Sequence, residues 1–203
     1  MRPDWDSYFL AIANITRLRS NCIKRKVGSL VVKNNIVVGL GYNGTPKNTP
    51  NCFDNGCERC YSQHQQKQIN NTSTQGIDLD KCICIHAELN AILAANCNLQ
   101  NAVLYSTLEP CINCAKAIVQ CGITKIVFIN HYEHTNKRIT QNLYKQANVQ
   151  TTQLHIDINS IIEWEKQQHP NQNQQHPTKS HTHTQPNHTP TKSTTPPPNH
   201  TQP

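Results

Sequence analysis

The sequence CICIHAELNAILA at residues 82–94 is followed at a short distance by TLEPCINCAKAI at residues 107–118. The first stretch carries a histidine and a glutamate two positions apart, His86 and Glu88, at the start of a predicted helix. The second carries two cysteines three positions apart, also at the start of a predicted helix, and a predicted strand lies between the two stretches. This arrangement predicts that one zinc ion and one proton-transfer group share a site.

The residue types suit a catalytic zinc site, which uses three protein ligands and leaves one position for water. His86, Cys111 and Cys114 supply such a set. A helix N-terminus favours thiolate over thiol, which helps both cysteines to bind a metal at neutral pH. Glu88 is then the remaining group, close to the metal-bound water without binding the metal itself.

The chemistry expected of this set is hydrolytic deamination. Zinc lowers the pKa of bound water from 15.7 to roughly 7, and Glu88 can move the released proton to a ring nitrogen and then to a leaving amine. An amidine-like carbon such as C4 of cytosine is a suitable target. His-x-Glu followed by Pro-Cys-x-x-Cys is the signature of zinc deaminases. Either half alone has a simpler interpretation, because Pro-Cys-x-x-Cys also occurs in structural zinc knuckles and redox pairs.

Hydrophobic periodicity predicts strands and helices that alternate along most of the chain. Such alternation implies crossover connections and a partly parallel sheet. The predicted helices lie within residues 1–20 and at residues 86–96, 111–121 and 135–147. The predicted strands cover residues 27–32, 36–42, 102–106, 125–129 and 149–155, and a last segment covers residues 158–164.

Two segments between these elements are interpreted as loops. GYNGTP at residues 41–46 is dense in turn-forming residues, so we expect its backbone amides and the Asn43 side chain to be free for a ligand. Residues 47–81 contain few apolar side chains but carry three cysteines. A long segment without its own core needs another source of order, which a bound metal would provide.

The composition divides the chain into two parts. Residues 1–166 can form one globular domain. Residues 167–203 contain no large apolar side chain, so we expect a disordered low-complexity tail that cannot offset its chain entropy by burial.

The ten cysteines and the N-terminal sequence bear on the cellular compartment, which we expect to be reducing and intracellular. No apolar signal segment opens the chain and no run approaches the length of a membrane span. We therefore expect a cytoplasmic protein without a membrane partner, in which clustered cysteines are metal ligands rather than disulfides. The formal charge of +7 is by itself weak support for a nucleic-acid partner, and no stable one is expected.

A wider set of motifs resembles the deoxycytidylate (dCMP) deaminases of the cytidine deaminase superfamily. The matching stretches are VGSLVV (27–32), GYNGTP (41–46), NCFDNGCERC (51–60), CICIHAELNAI (82–92), TLEPCINCAKAIVQCGI (107–123) and KIVFI (125–129). The resemblance implies a three-layer α/β/α fold around a five-stranded mixed sheet, assembled into hexamers. It also implies conversion of dCMP and water to dUMP and ammonia, which supplies dUMP for dTMP synthesis.

Particular residues acquire roles through this resemblance. His86, Cys111 and Cys114 would bind the catalytic zinc and Glu88 would be the proton shuttle. The resemblance further implies that Asn43 contacts the nucleotide and that the backbone at Ala87 meets the base.

A second, structural zinc is also implied, since some family members carry one. Cys22, Cys52 and Cys84 resemble its ligands, with a fourth from Cys57, Cys60 or Cys82. The position of these cysteines in the least apolar segment agrees with this interpretation, whereas the simpler alternative is that some are small buried apolar residues.

The resemblance leaves regulation by nucleotide effectors open. Activation by dCTP and inhibition by dTTP are common among the proteins that this chain resembles, and the GYNGTP loop belongs to the effector region in relatives. Regulated members often have an arginine late in the helix that begins HAELN, where this chain has Ala94-Ala95-Asn96-Cys97.

Two other functions remain open at this level. One is deamination of another cytidine or adenosine substrate, such as a base in tRNA or single-stranded DNA, although a polymer requires stacking surfaces and the chain has only three Phe, two Trp and six Tyr. The other is a non-catalytic binding module organised by zinc.

Overall fold

A computed structural model of the chain describes residues 2–70, 79–132, 136–161 and 163. In this part of the chain, five strands form one mixed sheet in the order β2-β1-β3-β4-β5. Strand β1 pairs antiparallel with β2 and β3, whereas β3, β4 and β5 run parallel. The strands are β1 (Gly28–Lys33), β2 (Ile36–Tyr42), β3 (Val103–Leu108), β4 (Lys125–Asn130) and β5 (Gln150–Gln153).

The hairpin between β1 and β2 closes through two asparagines. Asn34 and Asn35 both have positive φ, at 53° and 60°. This is the backbone of a two-residue type I′ turn, whose twist matches that of the flanking strands and which asparagine tolerates well. The turn lies in the interval between the two strands predicted at residues 27–32 and 36–42, and both strands are present.

Helices cover both faces of the sheet. They are α1 (Trp5–Thr16), α2 (Glu58–Asn70), α3 (Ala87–Ala94), α4 (Ile112–Gln120) and α5 (Lys137–Gln146). Helix α1 begins at a cap in which Asp4 Oδ1 accepts a hydrogen bond from the Ser7 N–H at 2.9 Å. Short 3-10 helices lie at Arg17–Arg19, Cys52–Asp54 and Leu79–Lys81.

Alternate residues of the central strands face two different cores, as a half-buried strand requires. On the α1 side the core is formed by Phe9, Leu10, Ala13, Leu30, Val32, Tyr105 and Val127. On the other side it includes Ala91 of α3, Ile118 of α4 and Tyr144 of α5, packed against Val31, Leu104, Ile126 and Phe128. The predicted three-layer α/β/α fold around a five-stranded mixed sheet is thus confirmed.

The prediction for residues 47–81 was wrong in one respect. These residues do not form a plain loop, because they contain the helix α2. Its sequence ERCYSQHQQKQIN is almost entirely polar, so no apolar stripe identifies it. Of the other predicted helices and strands up to residue 155, the described parts are present within a few residues of their expected bounds.

Some expectations lie outside the described residues. The C-terminal tail at residues 167–203 belongs to that part, as does the end of the proposed domain at residue 166. Among the described residues, no helix is both long enough and apolar enough to cross a membrane.

Candidate active site

Three side chains meet where α3 and α4 begin. His86 occupies the N-cap position of α3 and Cys111 that of α4, both with extended backbone. His86 Nδ1 lies 3.4 Å from Cys111 Sγ and 3.3 Å from Cys114 Sγ. Cys111 follows the carboxyl end of β3, and this is the edge of an α/β sheet where ligands commonly bind.

The donor atoms fit a zinc ion. Zn–S bonds of about 2.3 Å and Zn–N bonds of about 2.0–2.1 Å at a tetrahedral angle separate nitrogen from sulfur by about 3.6 Å, close to the two observed distances. Among the described residues, no fourth His, Cys, Asp or Glu joins this group. His86 is exposed and Cys111 is partly exposed, so one side of the set is open. An open three-ligand set is the arrangement of a catalytic zinc site rather than of a closed structural one.

The protonation of the sulfurs supports this fit. Hydrogen bonds from Cys114 and then from His86 lower the pKa of Cys111 to about 3. The hydrogen bond to Cys111 correspondingly raises the pKa of Cys114. The site therefore favours thiolate at Cys111, the form that binds metal.

Glu88 lies next to this set in the first turn of α3. It is only 4% exposed, and burial raises the pKa of its carboxyl group to about 7. Its side chain also hydrogen-bonds with Cys114. A carboxyl group with a pKa near neutrality populates both the acid and the base form at working pH, which is what a proton shuttle requires.

The GYNGTP loop fixes the approach to α3. Gly44 and Ile85 form an antiparallel bridge, with Ile85 N–H donating to Gly44 O at 2.8 Å. Asn90 Nδ2 donates to Tyr42 O at 2.7 Å. A Cβ at Gly41 would overlap the carbonyl oxygen of Ala87, so only glycine lets β2 approach the start of α3 this closely. These contacts position His86, which follows Ile85 directly.

The expectation that the Asn43 side chain is free was wrong. Its Oδ1 accepts hydrogen bonds from Val27 N–H and Ser20 Oγ, both at 2.8 Å. Its Nδ2 donates to Arg25 O, also at 2.8 Å. The side chain therefore acts as a clamp that holds the loop against the chain before β1. Contact between Asn43 and a nucleotide stays a prediction, and within this side chain only the second Nδ2 hydrogen remains to donate to a ligand.

Ala87 is fully buried at the first position of α3. A backbone N–H at this position has no acceptor within its own helix. Contact between this backbone and a base remains a prediction.

Sequence reasoning missed Glu109. This buried carboxylate pairs with His131 Nδ1 at 3.0 Å and accepts a hydrogen bond from Tyr132 N–H at 3.3 Å. The Arg25 guanidinium lies 5.2 Å from the centre of the Tyr132 ring. Glu109 therefore ties the loop before α4 to the loop after β4. The one feature of the sequence that could have pointed to Glu109 is that it is an acidic residue two positions before the metal ligand Cys111.

A second group of donors lies beside the active site. Six cysteines converge there, all but one of them buried: Cys22, Cys52, Cys57, Cys60, Cys82 and Cys84. Cys82 Sγ lies 3.9 Å from Cys57 Sγ and 3.7 Å from Cys60 Sγ, far beyond the length of about 2.05 Å of a disulfide. We call this group the six-cysteine cluster.

The cluster is larger than the ligand set expected from the sequence. Cys60 completes a group of four with the three expected ligands Cys22, Cys52 and Cys84. Cys57 and Cys82, the other two candidates for the fourth place, are close to it as well. The remaining cysteines of the chain, Cys97 and Cys121, belong to neither site.

Comparison with known proteins agrees with this geometry. The family model for the cytidine and deoxycytidylate deaminase zinc-binding region matches residues 3–130. The chain is 41% identical to deoxycytidylate deaminase of Schizosaccharomyces pombe over 79% of its own length and 47% of that protein. For the deoxycytidylate deaminase of Mycobacterium phage D29, identity is 40% over 63% of this chain and 95% of that protein. The chain thus spans about half of the yeast relative and nearly all of the phage one.

A solved structure shares the fold. It is dCMP deaminase from the cyanophage S-TIM5 in complex with dCMP and dUMP, with a TM-score of 0.57 and 28% identity over 76% of this chain and 99% of that chain. The region matched by the family model, residues 3–130, includes both halves of the zinc site described above. The chain therefore belongs to the cytidine and deoxycytidylate deaminase family.

Proposed function

We propose that this protein is a zinc-dependent dCMP deaminase, which converts dCMP and water to dUMP and ammonia and so supplies dUMP for dTMP synthesis. The observation that carries the proposal is the open three-ligand set of His86, Cys111 and Cys114 with the buried Glu88 beside it. The S. pombe and phage D29 relatives are named as deoxycytidylate deaminases. The cyanophage protein of similar fold was solved with dCMP and dUMP.

His86, Cys111 and Cys114 would hold the catalytic zinc. When bound, the ion lowers the pKa of a water molecule to roughly 7 and makes hydroxide available at neutral pH. Glu88 accepts the proton of the attacking water on a carboxylate oxygen. It delivers that proton to N3 of the cytosine ring as the water oxygen bonds to C4. It then moves the proton of the new C4 hydroxyl group to the exocyclic amine, so that the C4–N bond breaks, ammonia leaves and C4 becomes a carbonyl.

The local structure suits Glu88 to transfer protons, through both the pKa and the position of its carboxyl group. Burial holds the pKa of its carboxyl group at about 7, so it takes and releases protons at neutral pH with little cost. The bridge between Gly44 and Ile85 and the packing of Gly41 on Ala87 fix the start of α3. Both supports matter because an error of about 1 Å in the position of a catalytic group can cost about 100-fold in rate.

The six-cysteine cluster is proposed as a structural zinc centre. Its sulfurs come from the loop before β1, from the region around α2 and from the segment that leads into α3. Cys84 is two residues from His86, so metal at the cluster would hold the catalytic segment against the rest of the domain. The cysteines of both sites form no disulfides, which suits a reducing compartment, and we propose a cytoplasmic location.

A homo-oligomer, with the hexamer as the expected state, is also part of the proposal. Exposed apolar side chains on two regions of the surface support it, because monomers rarely expose large apolar patches. Leu93 on α3 is 74% exposed and Ile36 at the hairpin is 65% exposed. The molar mass in solution, measured by light scattering during size-exclusion chromatography, tests this assembly.

The activity is tested with zinc-loaded protein and dCMP, following the loss of cytosine absorbance, with and without dCTP or dTTP. We expect turnover by the parent protein and a loss of about 10²–10⁴-fold in Glu88→Gln, the range that general acid–base catalysis contributes. The exposed Glu163→Gln is the matched control and should keep the parent activity. An active Glu88→Gln protein would overturn the mechanism. Tight RNA binding without turnover of dCMP would favour a polymer substrate instead.

A further inference from the structure

The six-cysteine cluster contains two overlapping sets of four ligands. One set is Cys22, Cys52, Cys60 and Cys84, and the other is Cys57, Cys60, Cys82 and Cys84. We infer that the cluster is a binuclear zinc site, in which two zinc ions are bridged by the sulfurs of Cys60 and Cys84. This inference goes beyond the proposed function, because it concerns the number of ions and the ligand connectivity of a site where no chemistry on the substrate takes place.

The spacing of the sulfur atoms fits tetrahedral coordination in both sets. A zinc ion with four Zn–S bonds of about 2.3 Å separates its sulfurs by about 3.8 Å. Cys82 Sγ lies 3.9 Å from Cys57 Sγ and 3.7 Å from Cys60 Sγ. In each set all four sulfurs lie within 4.8 Å of one another, so each set can surround one ion.

The two shared residues contact cysteines of both sets. Hydrogen-bond contacts join Cys60 to Cys22 and Cys82, and they join Cys84 to the same two residues as well as to Cys60. Cys22 and Cys52 belong only to the first set, and Cys57 and Cys82 belong only to the second. Each ion would therefore have two sulfurs of its own and two that it shares.

Charge also favours two ions over one. One Zn²⁺ with four thiolates has a net charge of −2 and leaves two further cysteines as thiols without a metal. Two Zn²⁺ with six thiolates also have a net charge of −2. The second ion thus replaces two S–H groups by metal bonds at no additional net charge, in a place where Cys57 is 0% exposed and an unpaired charge would be costly.

Backbone and side-chain donors surround the sulfurs of the cluster. Backbone N–H groups of Arg25 and Lys24 donate to Cys22, and that of Ile23 donates to Cys52. Arg59 Nη1 lies 4.0 Å from the bridging sulfur of Cys60. Hydrogen bonds of this kind orient and stabilise the ligands of a metal centre.

A binuclear site also explains how α2 is held. This helix is almost entirely polar, and Cys60 in its first turn is buried together with Cys57 just before it. Through the shared sulfurs, α2 would be bonded to both ions and, by way of Cys84, to the segment that carries His86. Metal ligation would thus replace the apolar face that α2 lacks.

The first experiment counts zinc by elemental analysis in protein purified without chelators. We expect three zinc ions per chain in the parent, one in the active site and two in the cluster. Cys57→Ser with Cys82→Ser should lose one ion, and so should Cys22→Ser with Cys52→Ser. The control Cys97→Ser with Cys121→Ser should keep all three, since these cysteines lie outside both sites.

The possible results separate a binuclear site from a mononuclear one. Two ions in the parent would overturn the inference. An unchanged count in either double variant of the cluster would also overturn it, because one group of four would then be the whole site. Cys111→Ser should lose only the catalytic ion, so failure of the proposed activity and failure of this inference give different results.

A measurement on the unmodified sequence covers the case in which the double variants do not fold. After exchange with ¹¹³Cd, two tetrathiolate signals split by coupling through the bridging sulfurs are expected in the ¹¹³Cd NMR spectrum. A third signal with different chemistry is expected from the active site. A single tetrathiolate signal, or two signals without mutual coupling, would contradict the bridged pair.

Discussion

Replacement of Gly41 by alanine tests whether close packing of β2 on α3 keeps the catalytic residues in place. Gly41 is buried in β2 and faces the first turns of α3. A Cβ on Gly41 would overlap the carbonyl oxygen of Ala87 and would lie 2.8 Å from the carbonyl carbon of Asn90. Both obstacles are helix backbone, so they cannot be relieved by a change of rotamer.

The size of the effect follows from this overlap. A normal contact needs about 3.4 Å or more, and the overlap with the Ala87 oxygen is large enough that α3 must move away by roughly an ångström. A displacement of that order at a catalytic group costs about 100-fold in rate, or about 2.7 kcal/mol. The overpacking should also lower the free energy of unfolding by about 1–3 kcal/mol.

The assay is dCMP turnover by zinc-loaded Gly41→Ala protein, with its zinc content and its unfolding free energy measured on the same sample. The control is Val127→Ala, which removes packing from the core on the α1 side and should lower stability by about 1–3 kcal/mol with little change in kcat/KM. If Gly41→Ala were as active as the parent, or if Val127→Ala lost as much activity, the proposed link between packing and catalysis would be refuted.

Two further substitutions test the supports of the site. Cys84→Ala should lose metal from the six-cysteine cluster and lose activity although no catalytic residue is changed; full zinc content with full activity would refute the link between the cluster and α3. Asn43→Ala should lower the free energy of unfolding by about 2–4 kcal/mol, because it leaves buried hydrogen-bonding partners unsatisfied. Denaturant unfolding measures this loss, the exposed Asn96→Ala is the control, and equal stability of the two variants would count against the clamp.

Much of the fold and of the catalytic set could be predicted because the signals are local. The glycine and asparagine turns and the alternating apolar residues mark the hairpin and the strands. His86 and Cys111 each stand at the start of a periodic apolar segment, where a helix N-terminus is expected. Short motifs of this kind carry both the residue type and its position on an element.

The helix α2 could not be predicted from periodicity, because its sequence has no apolar stripe; its buried Cys60 lies in the six-cysteine cluster instead. Likewise, the sequence offered Cys57, Cys60 and Cys82 as alternatives for one ligand position. Only the three-dimensional arrangement shows that all three lie in one cluster with two shared members. Spacing along the chain does not contain that information.

Other features depend on contacts between residues that are distant in sequence. The Asn43 side chain looked free because turn residues often are, yet its partners include Ser20 and Val27. Glu109 pairs with His131 across two loops. Such hydrogen bonds satisfy buried polar groups, but no local sequence pattern predicts which residues are the partners.

The most direct test of hydrolytic deamination follows the oxygen atom. The zinc-loaded protein is incubated with dCMP in H₂¹⁸O, and the product is analysed by mass spectrometry. We expect dUMP with one ¹⁸O atom at C4 and an equivalent amount of ammonia, and Glu88→Gln should form this product at least about 100-fold more slowly. The absence of dUMP, or dUMP without the label, would contradict the proposed reaction.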